Sequence, residues 1–292
     1  MVNLENWFFN YNFWSFSKHR LWNLCKRYYY YRYIGTALKK SPNFDIYKVK
    51  RLKDLNSKYA LQGFLIHEII ENQIEYYCNG IELNEEGAKS QFTQRLDQYR
   101  KTAPDILTEF YNGVPLDDAF FNTIHEEGLE KLKNFFGVIW PQFKELEYLK
   151  HEDFDKFKIE DVEVIVKVDY VCKTKNDLIV ITDWKTGADY EEYENGLQIG
   201  TYVLWVMQYY QKYPSQIRSE IAYLKTGTIR PYEFTWENLV TIKEKIIEDY
   251  TMMNRSYEIE NYPTNSAPAK CISCQFGTIC PDSKIREFLG EF

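Results

Sequence analysis

The sequence lacks long hydrophobic runs: no window of its 292 residues approaches the roughly 18 uninterrupted apolar residues that a membrane-spanning helix needs. It also lacks the basic start and small-residue cleavage site of a signal peptide, and it contains no internal repeat and no low-complexity tract. These absences argue against a membrane protein, a secreted protein and a repeat array. We therefore expect a soluble cytoplasmic protein with no membrane partner, long enough to bury a substantial core.

Basic residues are outnumbered, 36 against 43 acidic ones, which at first opposes nucleic-acid binding. Distribution matters more than the sum, because residues 1–60 hold 12 basic and 3 acidic residues whereas the remaining 232 hold 24 and 40. Basic side chains of this first segment, including Lys26 and Arg27, alternate with aromatic ones: Trp14, Trp22, Tyr28 to Tyr31 and Tyr33. Such a mixture can bind phosphates and stack on bases. The alternative is that these aromatic side chains belong to the hydrophobic core, and we expect this of at least half of them.

Two runs rich in β-branched residues stand near the middle of the chain. They cover residues 162–171 and 178–184, and both predict strands. Lys175, Asn176 and Asp177 between them are typical of a turn, so we expect the two strands to form a hairpin.

Acidic residues and one lysine lie on this hairpin. Because side chains alternate along a strand, Asp183 and Lys185 share one face, Trp184 points to the other, and Asp169 can lie beside Asp183. Two adjacent carboxylates repel, and a divalent cation with oxygen ligands is the usual resolution. Lys185 would then be close enough to steady an attacking water or a developing phosphate charge. Alone, an Asp-x-Lys at a strand end is more often a solvated edge with a weak ion pair.

A helix predicted from about 191 to 213 places Gln198 and Tyr202 one turn apart on one face. Their polar tips can reach a phosphate or a base. By itself such a pair is more often ordinary helix surface.

Upstream, helical periodicity from about 50 to 78 predicts a single long helix. Its apolar stripe would be Leu52, Leu55, Tyr59, Phe64, Ile66, Ile70, Ile74 and Tyr77. Gly63 costs such a helix up to about 1 kcal/mol relative to alanine, which indicates that something approaches the backbone closely. His67 lies one turn before Glu71, and its imidazole would favour Mn²⁺ over Mg²⁺ if it joins the acids. A lone helical histidine is more often a satisfied core or surface residue.

These positions follow one another as His67, Asp169, Asp183-x-Lys185 and Gln198-x-x-x-Tyr202. In this order they resemble the PD-(D/E)XK nuclease superfamily, in its RecB-type branch, over about residues 62–213. Val168 stands where some members have proline, and no glycine precedes Asp169 as it often does in this branch. Those departures concern the shape of the turn more than the chemistry.

The resemblance implies a role for each position. The metal ion, Mn²⁺ or Mg²⁺, would be held by His67, Asp169, Asp183 and the carbonyl of Trp184. The nucleophilic water would be positioned by Lys185. Contact with nucleic acid, or ordering of the site, would fall to Gln198 and Tyr202.

Cysteines provide a separate signal. With no signal peptide, all six should be reduced thiols. Cys271-x-x-Cys274 followed by Cys280 is metal-ligand spacing, but three thiolates are one short of a closed tetrahedral site or a cubane cluster, so a distant fourth ligand is required. Cys78, after a helical stripe, and Cys172, in a strand, are expected to be small buried hydrophobic residues.

Residues 21–30 around Cys25 resemble the leading cysteine motif of iron–sulfur nucleases, which include CRISPR-adaptation nucleases and AddB-type helicase-nucleases. The resemblance implies that Cys25, Cys271, Cys274 and Cys280 bind a [4Fe-4S] cluster that joins the two chain ends. Lys26 departs from the proline usual after the first cysteine. Spacing alone leaves zinc open.

The expected fold class is α/β: a restriction-endonuclease-like core with a central mixed sheet flanked by helices. Further elements are predicted at 16–24 (a helix starting at Ser15), 217–225 and 230–234 (strands) and 236–257 (a helix), and helical periodicity covers 84–112 and 117–149. The predicted domains are an N-terminal region (1–60), a nuclease core (61–260) with a helical insertion (about 84–149), and a cysteine tail (261–292).

The resemblance implies a metal-dependent deoxyribonuclease that acts on single-stranded or frayed DNA ends, with exonuclease action as one open mode, in processes that range from DNA repair to antiviral defence. One alternative is a cluster-stabilised DNA-binding subunit of a helicase-nuclease or CRISPR-adaptation complex. Another is a zinc-stapled regulatory or RNA-processing protein. All of Asp169, Asp183 and Lys185 are present, which favours the enzyme.

Overall fold

The structure is a computed structural model that describes residues 12–151, 154–187 and 192–290. The chain divides into two compact units. Unit 1 comprises Met1–Leu61, Tyr99–Phe121 and Glu248–Phe292, and unit 2 comprises Gln62–Gln98 and Asn122–Ile247.

The helices are α1 (Phe16–Leu24), α2 (Lys26–Tyr29), α3 (Ile46–Lys53), α4 (Lys58–Cys78), α5 (Glu85–Ile106), α6 (Thr108–Tyr111), α7 (Asp118–Asn134), α8 (Glu192–Tyr209), α9 (Trp236–Met253), α10 (Pro268–Ile272) and α11 (Ile285–Leu289). Single π-helical turns lie at Tyr30–Ile34 and Phe135–Ile139, and 3-10 turns at Gly35–Ala37, Trp140–Gln142, Pro214–Gln216 and Ile259–Asn261. Of the helices in the described residues, none has the length and apolar character needed to cross a membrane.

The strands are β1 (Trp14–Ser15), β2 (Glu147–His151), β3 (Phe154–Ile159), β4 (Val162–Lys167), β5 (Tyr170–Lys173), β6 (Ile179–Lys185), β7 (Ile217–Tyr223) and β8 (Thr228–Tyr232). In unit 2, as far as it is described, five of them form one sheet in the order β2-β5-β6-β7-β8. Only the β6–β7 pair is parallel, and the long crossover that such a pair needs contains α8. The predicted α/β fold with a mixed central sheet is confirmed.

The predicted hairpin forms, but its first strand is shorter than expected. Residues 162–171 were expected to form one strand, whereas the chain pairs with β3 as far as Lys167 and with β6 only from Tyr170. Asp169 therefore lies in the break between β4 and β5 and not within a strand. The turn at Lys175 to Asp177 is confirmed, with Asp177 in the left-handed region at φ 64°.

The two faces of β6 pack against different elements, as the alternation of its side chains requires. Trp184 is buried and meets the rings of Phe135 and Phe143 at centroid distances of 5.6 Å. Asp183 and Lys185 point to the other face, which is covered by α8. The sheet is thereby fixed between an aromatic layer and the helix that carries Gln198.

Helix α1 begins as predicted, because the Ser15 side chain accepts a hydrogen bond from the backbone N–H of Lys18 at 3.4 Å. The single helix predicted over residues 50–78 is wrong. The segment forms two helices, α3 and α4. The chain between them contains Asn56, whose backbone forms hydrogen bonds with the backbones of Ile106 and Thr108. A partner some 50 residues away thus interrupts a locally helical sequence.

Three members of the predicted apolar stripe are exposed: Tyr59, Phe64 and Tyr77. Cys78 is also exposed, contrary to prediction, whereas Cys172 is buried as expected. Helical periodicity predicted for residues 147–149 is wrong as well, because these residues belong to β2 and pair with β5. Pairing with a sheet partner has overridden the local preference there.

Aromatic residues of the N-terminal segment form the core of unit 1. Trp22, Tyr29, Tyr30 and Tyr31 pack with Phe276 and other apolar side chains of the same unit, and each of them is less than a tenth exposed. Trp14 is fully buried. The interpretation that these rings stack on bases is therefore wrong for the buried ones, and the alternative of a core role is correct.

Candidate active site

The two predicted acids lie side by side in unit 2. Asp169 precedes β5 directly, and Asp183 is the fifth residue of β6, so the Tyr170–Thr182 register makes them neighbours. Asp169 Oδ2 accepts a hydrogen bond of 2.7 Å from the backbone N–H of Trp184. Both carboxylates are buried, at 6% and 3% exposure. Burying two like charges is costly unless each is neutralised or hydrogen-bonded, so the surroundings decide what this pair can do.

Lys185 provides the counter-charge for Asp183. Its Nζ lies 2.7 Å from Asp183 Oδ2, and about a quarter of its side chain is exposed. The predicted sharing of one strand face is confirmed by this contact. A partly exposed ammonium at the edge of a buried acid is positioned to meet an anionic group arriving from solvent.

Gln198 connects the acid to the lysine. Its Nε2 donates to Asp183 Oδ1 at 2.9 Å and to Tyr202 Oη at 2.7 Å, while its Oε1 accepts from Lys185 Nζ at 2.5 Å. Every polar atom of the amide is thus engaged, and the side chain is only 8% exposed. This arrangement favours a site-ordering role for Gln198 over direct contact with nucleic acid.

Tyr202, one helical turn later, completes the chain of hydrogen bonds. Its hydroxyl donates to the carbonyl oxygen of Lys167 at 2.8 Å and lies 3.4 Å from Asp183 Oδ1. Burial raises the pKa of this phenol well above its usual value, and the charges of Asp183 and Asp169 raise it further. The hydroxyl consequently stays protonated, and it anchors α8 to the end of β4.

His67 reaches the same place from α4. Its Nδ1 lies 3.4 Å from Asp169 Oδ1, and about a quarter of its side chain is exposed. Gly63, one turn earlier, explains how the helix comes so close: a Cβ there would lie 3.1 Å from Thr186 Oγ1. The close approach expected at Gly63 is thus made by the residue that follows Lys185.

A family model described as the PD-(D/E)XK nuclease superfamily matches residues 13–281. The chain belongs to this superfamily. The match covers most of the 292 residues, and it includes every residue of the site described above. The sequence-based recognition of the superfamily is confirmed.

Among solved structures, the chain is similar to a crystal structure of a candidate exonuclease from Eubacterium rectale. The two are 14% identical, with a TM-score of 0.46, and the alignment covers 87% of this chain and 85% of the other. At these values the likeness adds nothing to the family assignment. None of the curated proteins matches the sequence.

Members of the PD-(D/E)XK superfamily generally use divalent cations such as Mg²⁺ or Mn²⁺. Across residues 12–151, 154–187 and 192–290, no three His, Cys, Asp or Glu side chains are grouped closely enough to hold a metal ion. The donor chemistry nevertheless fits one: Asp183 Oδ2 is buried and, among the described residues, accepts no hydrogen bond, since Lys185 faces it as an ion pair without hydrogen-bond geometry. A buried carboxylate oxygen that is held only by an ion pair, beside a second acid and an imidazole, is a suitable donor set.

The four predicted cluster cysteines share one cavity in unit 1. Its volume is about 30 Å³, and its lining includes Cys25, Cys271, Cys274 and Cys280. Burial, with smaller contributions from the other three thiols, raises the pKa of the Cys274 thiol to about 12, so these three thiols lie within electrostatic reach of Cys274. The structure therefore brings the predicted residues together around one space, without the converged geometry of a ligand set.

The cysteine loop is held in place by polar contacts that the sequence did not suggest. Asn112 Nδ2 donates to the carbonyl oxygens of Ile272 at 2.7 Å and Cys274 at 3.1 Å. Gly277 has little room for a side chain, because a Cβ would lie 3.0 Å from the carbonyl oxygen of Cys271 and 3.2 Å from that of Cys274. Asn112 lies in the predicted helical insertion, far from the cysteines in sequence, and no local pattern signals its role.

Lys26 and Arg27, predicted to bind nucleic acid, also make contacts within unit 1. Lys26 Nζ lies 4.7 Å from the centroid of the Trp22 ring, and Arg27 Nε donates to the carbonyl oxygen of Tyr262 at 2.9 Å. Both side chains remain partly exposed. Their predicted role remains a proposal.

Asn195 is a site neighbour that sequence reasoning missed. Its Nδ2 donates to Tyr223 Oη at 3.0 Å, which ties α8 to β7 one turn before Gln198. The signal was present, because Asn195 lies three residues before Gln198 on the predicted helix and thus on a neighbouring part of its surface.

Replacing Gln198 with leucine should lower kcat about 10- to 100-fold and change KM little. The substitution keeps the volume but removes the donor to Asp183 and the acceptor for Lys185, and small misplacements of reacting groups cost rates of this size. Steady-state cleavage kinetics measure the effect. Asn195→Leu is the matched control: it removes a buried amide bond on the same helix but should leave kcat within about threefold. Equal loss of rate and melting temperature in both variants would assign Gln198 a purely structural role.

Proposed function

We propose that this nuclease is a metal-dependent deoxyribonuclease that hydrolyses phosphodiester bonds at single-stranded or frayed DNA ends, in an exonucleolytic mode. The observation that carries the proposal is the hydrogen-bonded chain from Lys185 through Gln198 to Asp183, beside the Asp169–His67 pair. The alternative for the Asp-x-Lys motif was a solvent-exposed strand end with a weak ion pair. A lysine that is held against a buried acid does not fit that alternative.

Each residue would have a distinct task. His67, Asp169, Asp183 and the Trp184 carbonyl would hold the divalent cation, Mn²⁺ in preference to Mg²⁺ because of the imidazole. When bound, such an ion lowers the pKa of water and polarises a phosphate. Lys185 would orient the attacking water or offset charge on the phosphate oxygens.

The other members of the hydrogen-bonded chain would hold the catalytic side chains in position. Gln198 holds Lys185 and Asp183 at a fixed separation, and Tyr202 holds Gln198 while staying protonated itself. Backbone donation from Trp184 fixes one oxygen of Asp169 and leaves the other facing His67. Preorganisation of this kind reduces the reorganisation needed when the substrate arrives.

We further propose that the protein belongs to the RecB-type branch and that Cys25, Cys271, Cys274 and Cys280 bind a [4Fe-4S] cluster, with zinc as the alternative. Support comes from the four thiols that line one cavity. The cluster would join the chain segments of unit 1 and act structurally before it acts in redox chemistry. Lys26 and Arg27 would contact DNA phosphates close to it.

The biological setting is proposed on the same basis. A cytoplasmic enzyme of this branch would process ends in DNA repair or antiviral defence, together with a helicase or a CRISPR-adaptation protein. A reducing compartment keeps cysteines out of disulfides, and none of the six cysteines, each in the described part of the chain, forms one.

The test of activity uses DNA labelled at either the 5′ or the 3′ end. Single strands, blunt duplexes and duplexes with frayed ends are incubated with Mg²⁺, Mn²⁺ or EDTA, and products are resolved by length. We expect Mn²⁺-dependent mononucleotide release from single-stranded and frayed ends, and none with EDTA. Tight DNA binding with no cleavage under any of these conditions would favour the DNA-binding subunit.

A further inference from the structure

The β3–β4 hairpin of unit 2 carries an unusual outer face. Strand alternation buries Phe157 and Val164 on one side. The opposite side carries three exposed lysines and one exposed aromatic ring: Lys156, Lys158, Lys167 and Phe154. In an acidic chain with net charge −7, such a surface is not what average composition produces.

Packing within the hairpin does not bury Phe154 or Lys156. Phe154 is 75% exposed, and Lys156 forms a largely solvated ion pair of 3.5 Å with Glu163. Solvated pairs of this kind contribute little to stability. A single exposed phenylalanine is ordinary, but here it is paired across the strands with Lys167, whose Nζ lies 5.7 Å from the ring centroid. An aromatic ring with an adjacent cation is the combination that holds a base and its phosphate.

The end of the hairpin that carries Phe154 and Lys167 lies beside the candidate active site. Lys167 ends β4, two residues before Asp169, and its carbonyl oxygen accepts the hydrogen bond from Tyr202. Phe154 is the register partner of Lys167, so the ring lies at the end of the hairpin that is closest to the acids. This end of the hairpin is therefore within reach of a nucleic-acid strand bound at the site.

Charge changes sign along the hairpin. The turn at its far end contains the exposed acids Glu160 and Asp161, which would repel a phosphate backbone. The basic stretch from Phe154 to Lys158 spans roughly 13 Å, four residues at about 3.3 Å each. That length suits a few nucleotides beside the site and excludes a long duplex track.

We propose that the outer face of the β3–β4 hairpin binds the single strand of nucleic acid that leads into the active site, with Phe154 stacking on the base nearest the site and Lys156, Lys158 and Lys167 contacting phosphates. This inference rests on the proposed nuclease function. It adds a binding surface on unit 2 to the role predicted for the N-terminal segment, in which most of the aromatic rings are buried.

The test compares four variants with the wild-type protein, one of which, Phe154→Trp, restores an aromatic ring. Phe154→Ala removes the ring, and Lys156→Gln with Lys158→Gln removes two charges. The matched control, Lys133→Gln with Lys243→Gln, removes two exposed lysines elsewhere in unit 2. Binding of a fluorescent single strand and of a duplex is measured by anisotropy without divalent cation, across a salt series, and cleavage is measured in parallel with Mn²⁺. Because all substituted side chains are exposed, melting temperatures should be unchanged.

We expect Phe154→Ala to weaken single-strand binding about 5- to 150-fold, with recovery in Phe154→Trp. The double lysine variant should reduce the slope of log K against log salt by about 1 to 2, and the control pair by less than about 0.5. If the protein cuts DNA and both hairpin variants bind with wild-type affinity and salt slope, the proposed hairpin surface is wrong and the proposed nuclease function stands. Hairpin-dependent binding with no cleavage would overturn the nuclease and leave the surface. Loss of duplex binding alone would overturn the single-strand assignment.

Discussion

Replacing Asp183 with asparagine should abolish DNA cleavage, lowering the rate at least about a thousandfold, while the protein stays folded and still binds DNA. Asparagine has the same shape, so Gln198 can still donate to its carbonyl oxygen. The other oxygen becomes an NH₂ group, which would point a donor at the Lys185 ammonium 2.7 Å away. The substitution also removes a proposed cation ligand. Loss of one preorganised electrostatic group alone costs about 100- to 1,000-fold, and here two functions fail together.

Single-turnover cleavage of labelled DNA with Mn²⁺ measures this effect, and anisotropy measures binding. Asp177→Asn is the matched control, because it changes an exposed aspartate at the turn before the same strand. The control should cut at the wild-type rate. Cleavage by Asp183→Asn at that rate would show that the acid pair is not the catalytic centre.

Replacing Cys274 with serine should have the largest effect on stability and cofactor content. Cys274 lies in the cavity shared with Cys25, Cys271 and Cys280, and its backbone is held by Asn112. Structural metal sites of this kind contribute on the order of 10 kcal/mol of apparent binding free energy, so loss of one ligand should release the metal and destabilise unit 1. Wild-type protein purified without oxygen should contain iron and sulfide and absorb visible light.

Cys78→Ser is the matched control, because Cys78 is exposed and lies outside that cavity. It should retain full metal content and the wild-type melting temperature. Iron and zinc analysis with an absorbance spectrum compares the variants. If the wild-type protein is colourless and contains zinc, the bound metal is zinc and not an iron–sulfur cluster. If the Cys274→Ser variant keeps its metal and its full stability, Cys274 is not a ligand.

The sequence predicted the features that depend on local pattern. Alternation along β6 correctly placed Asp183 and Lys185 together and Trp184 opposite, because a strand allows no other arrangement. Spacing of four along α8 placed Gln198 and Tyr202 within hydrogen-bond distance, at 2.7 Å. Gly63 indicated a close approach before its partner was known, and that partner is Thr186.

Features that depend on distant partners were missed. No glycine or proline marks the end of α3, and the chain leaves the helical path because Asn56 forms backbone hydrogen bonds with residues 106 and 108. Glu109 then accepts from the backbone N–H of Lys58 at 2.8 Å, which starts α4. Neither contact can be read from residues 50–60, because both depend on where the insertion folds.

Aromatic composition was equally ambiguous. A run of tyrosines between basic residues predicts a stacking surface or a core with equal ease, and only packing against Phe276 and Tyr262 distinguishes the two. The basic and aromatic face of the β3–β4 hairpin was not predicted, because in the sequence its lysines alternate with buried residues.

The most direct test of the central claim is a crystal structure of the protein grown with Mn²⁺, with anomalous scattering recorded to locate the ion. We predict one strong peak about 2.0 to 2.4 Å from a carboxylate oxygen of Asp169, a carboxylate oxygen of Asp183 and a ring nitrogen of His67. Manganese bound elsewhere, with Lys185 Nζ still in contact with Asp183 Oδ2, would show that Asp169, Asp183 and His67 do not form the metal site.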